Sequence, residues 1–363
     1  MRQRLGSFGK GCEALAVVVL LAGCGSPPED TPPDTDTSQR PSPGSVSAVL
    51  VANRTTFVAS EDVTVSVTLT NTSTRPVRLL QWKTPGTGYK EDRLRVTRDG
   101  QPAGYIGAHY KRPAPTQEDL VTLAPGESLT GDVTVSEDYD LTTTGTYTFR
   151  YLLDPRRDGE LAGFASNSVS LFIEGRKSRR EEEAPRRKTF ASALTFEGCS
   201  QEQQHAVSDA VRNGQDQASA AHAYLGTHKT PALSTRYLTL FGLYSPANWN
   251  KATDHFLAIR DAFQTRAITV DCACDSSAYA YVYKNQPYTI HVCRAFWPAP
   301  ATGQDSKAGT LLHEMSHFTA VADTHDHAYG RVNALAMALT QPLLALTNAD
   351  TLEYFAENQP YLP

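Results

Sequence analysis

The sequence predicts a multidomain chain: an N-terminal antiparallel β-sandwich of the Ig-like type, then a mainly α-helical domain with a small β-sheet. Three observations predict it. Apolar residues recur with period two between positions 46 and 174, and at helical spacing beyond 189. Between the two stretches lies a run of mixed charge from Arg176 to Lys188. The chain has 363 residues, enough for two domains after its leading segments are set aside.

Those leading segments read as export machinery. Arg2, Arg4 and Lys10 precede a short apolar run at 14–21 and then Ala22-Gly23-Cys24, which predicts a signal peptide over 1–23. The apolar run is too short to span a bilayer. Leu21-Ala22-Gly23-Cys24 is similar to the bacterial lipobox, in which Cys24 becomes the lipidated first residue; ordinary cleavage beside an unmodified cysteine is the alternative. Residues 24–45 are Pro, Asp, Thr and Ser with almost nothing apolar, so they predict a disordered tether. The expectation is a bacterial cell-envelope lipoprotein, held at a membrane through Cys24. A net charge of −5 without an extended basic patch argues against nucleic acid as a partner.

In the stretch 46–174, Val63, Val65, Val67 and Leu69 alternate with Thr64, Ser66 and Thr68, and Tyr147, Phe149 and Tyr151 share one face. Asp99-Gly100 and Pro125-Gly126 punctuate the strands as turns. No metal-ligand or nucleophile spacing occurs here, so this domain is structural, inhibitory or adhesive. The segment 175–189 reads as a solvated linker, or more sharply as a processing site between a pro-domain and the second domain.

The second domain, 190–363, begins with a long helix over 200–225, Ser200 standing at its start. Another runs over 246–263, with Pro246 in the first turn and Trp249, Phe256, Ile259 and Phe263 at helical spacing. Residues 278–283 and 288–292 read as a hairpin, and 288–292 is the expected edge strand for pairing with an extended peptide. A last Ala/Leu-rich helix from about Arg331 ends or kinks before Pro342. Of six cysteines, Cys12 leaves with the signal and Cys24 is the anchor. Cys199, Cys272, Cys274 and Cys293 remain, an even number in an oxidising compartment, which predicts two disulfides. Cys272 and Cys274 are too close in sequence to pair with each other, and two connectivities stay open.

The chemistry concentrates at Thr310-Leu311-Leu312-His313-Glu314-Met315-Ser316-His317-Phe318. On a helix His313 and His317 aim at one spot, with Glu314 beside it. Two imidazoles and an adjacent carboxylate suit a catalytic zinc ion and the base for its water. A third protein ligand is needed; Asp323, His325, Asp326, His327, Glu353 and Glu357 are all chemically able to serve. A buried helix with hydrogen-bonded histidines is the alternative reading.

His313-Glu314-x-x-His317 followed by Thr324-x-Asp326-x-x-Tyr329-Gly330 resembles the deuterolysin (aspzincin) family of zincin-like metalloendopeptidases. Phe196-Glu197-Gly198-Cys199-Ser200, Cys272-x-Cys274, Cys293-x-x-Phe296-Trp297 and Ala308-Gly309-Thr310 extend the likeness over about the last 170 residues. One departure is visible: Asp323 stands where the family's second motif begins with Gly. The resemblance implies one zinc ion per catalytic domain, with Asp326 as third ligand and Glu314 as general base towards the zinc-activated water. It implies Tyr329 as the transition-state tyrosine, and pairing of Cys199 with Cys272 and of Cys274 with Cys293.

Asp350 and Glu353 lie three apart, on one face if their segment is helical, and two carboxylates facing a pocket favour a lysine ammonium. The segment around them resembles the peptidyl-Lys subgroup of the same family. That implies protein or peptide substrates cut on the amino side of lysine. Lys177 and Lys188 in the linker then become candidate self-cleavage positions, with release of the catalytic domain to the medium; separately, the protein is expected to be a monomer. Two rivals arise from the same residues: a surface-binding lipoprotein without catalysis, and a family member without lysine selectivity.

Overall fold

A computed structural model describes residues 45–85, 91–153, 163–180 and 194–363. The expected signal peptide over 1–23, Cys24 and residues 24–44 of the expected tether lie outside the described residues, as do 181–189 of the expected linker, including Lys188, and 190–193. Among the described residues no helix is long and apolar enough to cross a membrane. All of them fall within one compact unit, Gln39–Pro363.

The first part is built of short strands whose alternate residues are buried. In order they are β1 (Val46–Val51), β2 (Thr56–Phe57), β3 (Thr64–Asn71), β4 (Val77–Leu80), β5 (Leu94–Arg98), β6 (Gln101–Pro102), β7 (Ala108–Lys111), β8 (Leu120–Leu123) and β9 (Ser128–Thr134). A short helix α1 (Val135–Asp138) leads to β10 (Gly145–Leu153) and β11 (Phe164–Ile173). One path of pairing runs β6-β5-β10-β11-β1-β3-β9, with β2 also on β11, while β4 and β8 pair separately. Val63, Val65, Val67 and Leu69 point into the same core as Tyr147, Phe149 and Tyr151, as the period of two requires. The antiparallel expectation fails at β1–β11 and β2–β11, which run parallel. The first and last strands meet only after most of this region has intervened, so no hairpin imposes an antiparallel direction there.

The second part begins with β12 (Leu194–Glu197) and α2 (Gln201–Thr227). Ser200 caps α2: its side chain accepts from Gln203 N–H and the Gln203 side chain returns the bond. Next come α3 (Thr235–Phe241), α4 (Pro246–Thr265), β13 (Ile268–Asp271), β14 (Ala280–Tyr283), β15 (Thr289–Val292), α5 (Lys307–His317), α6 (Arg331–Thr340), α7 (Pro342–Ala345) and α8 (Ala349–Glu357). Pro342 separates α6 from α7, as its missing N–H demands. The apolar faces of α2, α4, α5 and α8 close over the sheet in one core that includes Phe256, Ile259, Leu312, Met315 and Phe355. Disulfides join Cys199 to Cys272 and Cys274 to Cys293, one of the two connectivities left open by spacing.

The sheet of this second part has the order β12-β13-β15-β14-β7. Residues 288–292 were the expected edge, but β15 lies inside, between β13 and β14. Four-residue strands of similar composition carry no signal for their order, and the parallel β13–β15 pairing buries β15 on both sides. The strand that would otherwise be the edge is β14. It is covered by β7, which comes from the first part of the chain and pairs antiparallel with Ala280 opposite Lys111 and Tyr281 opposite Tyr110.

Candidate active site

Helix α5 starts at Ser306, whose hydroxyl accepts from Gly309 N–H. Glu357 at the end of α8 accepts from Ser306 N–H at 2.9 Å and from the Ser306 hydroxyl at 2.7 Å, so it pins the start of that helix. Gly309 makes this possible, since a Cβ there would collide with the carboxylates of Glu357 and Glu353. The helix is buried along its length, and His313, Glu314 and His317 have no exposed surface.

His313 Nε2 and His317 Nε2 lie 3.1 Å apart. Asp326 Oδ1 completes a triangle, 3.1 Å from the first and 3.3 Å from the second. Tetrahedral zinc with bonds near 2.0 Å separates its ligand atoms by roughly 3.3 Å, so the three atoms fit that ion. Their partners orient them. His317 Nδ1 donates to the Thr324 carbonyl at 3.1 Å, and His313 Nδ1 lies 2.9 Å from Asp350 Oδ1. Protons on both Nδ1 atoms leave both Nε2 lone pairs facing one another and the carboxylate, an arrangement that calls for a cation between them. Asp326 Oδ1 is buried without a hydrogen-bond partner, which agrees.

Charges match the same layout. Burial works against ionised Asp326, but the neighbouring imidazoles of His317, His109 and His313 outweigh it and hold the carboxyl well below its usual range. Burial also opposes a charge on His313, yet Asp326, Asp350 and Glu353 together raise its pKa well above the ordinary one, the same pull for positive charge at this spot that a metal ion would answer in place of the Nε2 proton. Glu314 is pushed up to about 8, chiefly by burial, with His313 pulling the other way and Asp326 adding to the rise. Its Oε2 has no partner, and its Oε1 accepts the backbone N–H of Lys111 at 3.3 Å.

The loop from Thr324 to Gly330 carries Asp326 and Tyr329. Asn348 Oδ1 accepts from the N–H groups of His327 and Ala328, and Asp350 Oδ2 accepts from Gly330 N–H at 2.6 Å. Asp323, the residue that departs from the resemblance, has φ 50°, the left-handed conformation that glycine adopts freely and aspartate tolerates. Lys284 Nζ sits 2.5 Å from its carboxylate, so the turn keeps its shape with a charged pair in support. Burial raises the Tyr329 phenol well above its usual range, and its hydroxyl is 3.4 Å from Glu91 Oε1.

Asp350 and Glu353 share one face of α8 and both meet the ammonium of Lys111. Its Nζ is 2.7 Å from Glu353 Oε2, 3.2 Å from Asp305 Oδ1 and 3.7 Å from Asp350 Oδ1. Burial alone would lower the lysine pKa, but Glu353 and Asp350 outweigh it and keep it well above the usual value. His313, Asp350 and Glu353 could by geometry hold a metal ion, but the lysine ammonium already stands among them. Asp305 and Lys111 were not legible as site residues. Asp305 precedes the capping Ser306 at φ 52°, and Lys111 lies 203 positions from Glu314. His109 was also missed; its ring packs on His317 with centroids 4.8 Å apart, and its Nδ1 is 3.8 Å from Asp326 Oδ2. Of the other proposed third ligands, His325 and His327 sit in the same loop, while Glu353 and Glu357 are occupied by Lys111 and Ser306.

Residues 226–357 match the family model Aspzincin, described as lysine-specific metallo-endopeptidase. An extracellular protease of Aeromonas hydrophila is 41% identical over 315 residues, covering 83% of this chain and 90% of that one. A peptidyl-Lys metalloendopeptidase of Armillaria mellea is 31% identical over 318 residues, covering 83% and 88%. A solved zinc peptidase from Grifola frondosa is 40% identical, covers 46% of this chain and 100% of that one, and superposes with a TM-score of 0.44. With two motifs spaced as that family has them and relatives this similar along most of the sequence, the chain belongs to the aspzincin family of zinc metalloendopeptidases.

Proposed function

We propose that the protein is an exported endopeptidase that hydrolyses the bond on the amino side of lysine. The observation that carries this is the ammonium of Lys111 seated among Glu353, Asp305 and Asp350 while its backbone N–H faces Glu314. A lysine side chain in that seat puts its own backbone nitrogen, the leaving group of the bond before it, beside the acid–base group. The seat rejects other residues because removing the cation leaves buried carboxylates unpaired.

His313, His317 and Asp326 would hold zinc, which when bound lowers the pKa of water and polarises a carbonyl. Glu314 takes the water's proton and delivers it to the leaving amine. Tyr329 supplies a phenolic donor to the developing oxyanion once its hydroxyl is free of Glu91. Tyr329→Phe is expected to lower kcat by roughly 10²–10³-fold with KM little changed, measured by steady-state hydrolysis of a lysine-containing peptide.

Residues 46–174 form, in this reading, an Ig-like accessory or pro-domain, and 190–363 the catalytic domain. Cys24 would anchor the chain to a bacterial membrane, a reading supported by the lipobox sequence and by a relative named an extracellular protease. Cutting before exposed Lys177 or before Lys188 would release the catalytic part. The test is a digest of an unfolded protein with the zinc-loaded enzyme, followed by mapping of the new termini. Nearly all new N-termini are expected to be lysine. Cutting without regard to lysine would sink the specificity, and an Asp350→Ala, Glu353→Ala enzyme with an unchanged cleavage profile would remove these residues from it.

A further inference from the structure

The strand β7 lies where a substrate would lie. It pairs antiparallel with β14 beside the catalytic helix, with Lys111 opposite Ala280 and Tyr110 opposite Tyr281. Strand alternation sends His109 and Lys111 inward and Tyr110 outward. Lys111 fills the carboxylate seat, its side chain 1% exposed, and its N–H donates to Glu314. His109 covers the ring of His317 and approaches Asp326. Tyr110 packs against Tyr281 with ring centroids 5.0 Å apart. Beyond the seat, Arg112 is fastened to the first part of the chain: its Nε is 3.3 Å from Glu91 Oε1 and its guanidinium stacks over Trp82. The same Glu91 holds the Tyr329 hydroxyl. No second peptide can occupy β14, the lysine seat and Glu314 while this strand is there.

We propose that Ala108–Lys111 is both the block on the groove and the enzyme's first substrate, cut intramolecularly between Tyr110 and Lys111. This rests on the lysine reading above and adds to it a specific bond. In the reaction water adds its oxygen to the Tyr110 carbonyl carbon and the C–N bond to Lys111 breaks. Tyr110 is left with a carboxylate and Lys111 with a new α-amino group, the proton passing through Glu314. The reaction needs only water as co-reactant. Cutting frees the two halves of the strand from one another, so the piece ending at Tyr110 and the piece starting at Lys111 can leave the groove separately. The linker lysines are then cut later, by an enzyme already open.

The test uses the purified full chain, loaded with zinc and followed by intact mass and N-terminal sequencing. The first new terminus is expected to be Lys111-Arg112-Pro113, appearing at a rate independent of protein concentration. Hydrolysis of an added lysine peptide is expected to show a lag that tracks this cut. Lys111→Met, checked for folding by its melting transition, is expected to reduce cutting at this bond by at least about 100-fold and to shorten the lag. Separately, in the zinc-free wild-type chain an amine-acylating reagent should modify exposed Lys177 and spare Lys111. Hydrolysis of the added peptide by the wild-type chain without a lag, with Tyr110–Lys111 intact, would overturn the inference and leave the lysine reading standing. A first-cut rate proportional to protein concentration, or acylation of Lys111 as fast as Lys177, would also overturn it. If added lysine peptides are never cut by either protein, the lysine reading fails and takes the inference with it.

Discussion

Replacing Glu314 with glutamine is expected to lower kcat for a lysine peptide by roughly 10²–10⁴-fold, the usual contribution of a positioned general base. The amide keeps the shape and still accepts the Lys111 N–H, but it cannot take a proton from water or return one to the leaving amine. The zinc content should not change, because the three donor atoms of the proposed site belong to His313, His317 and Asp326, and the two imidazoles meet Thr324 and Asp350 rather than Glu314. The two readouts together separate chemistry from metal binding: peptide hydrolysis followed by chromatography, and metal analysis of the dialysed protein. Loss of zinc along with activity would mean that Glu314 supports the metal rather than the proton transfer. The same variant should also keep Tyr110–Lys111 uncut, which makes it the natural background for work on the full chain.

The parts of the site that lie close together in sequence were legible. His313, Glu314 and His317 follow from helical spacing, whereas Asp326 and Tyr329 came only from the resemblance, the residues by themselves having left six candidate third ligands open. Asp350 and Glu353 were readable as a pair for the same reason, although Asp350 also serves His313, which spacing did not reveal. What could not be read is the contribution of β7. Its four residues, Ala-His-Tyr-Lys, show no pattern that separates them from any other short strand, and their partners lie far away along the chain. The order of the sheet was hidden for a related reason: β14 and β15 are alike in length and both alternate, and alternation does not say which of them pairs with β13. The parallel pairings of β11 were equally invisible, since local alternation fixes a face and not a direction.

In the uncut chain, Glu353→Gln is expected to cost about 3–5 kcal/mol of stability, the range for removing one partner of a buried ion pair. Glu353 Oε2 is the nearest carboxylate oxygen to Lys111 Nζ, and neither side chain has more than 1% of its surface exposed. Neutralising it leaves the ammonium to Asp350 at 3.7 Å and to Asp305, whose side chain is 32% exposed and therefore better hydrated. The size of the loss alone does not identify its source, because Glu353 also packs beside Gly309 and Glu357. A double-mutant cycle does. With Glu314→Gln as background to prevent cutting, the cost of Glu353→Gln should shrink when Lys111 is already methionine, leaving the part owed to His313, whose Nδ1 is 3.4 Å from the same oxygen. Denaturant unfolding of the four proteins measures the coupling directly. An equal cost with and without Lys111 would mean that the carboxylate stabilises the helix junction by itself. The strand would then be in the groove for reasons other than its lysine.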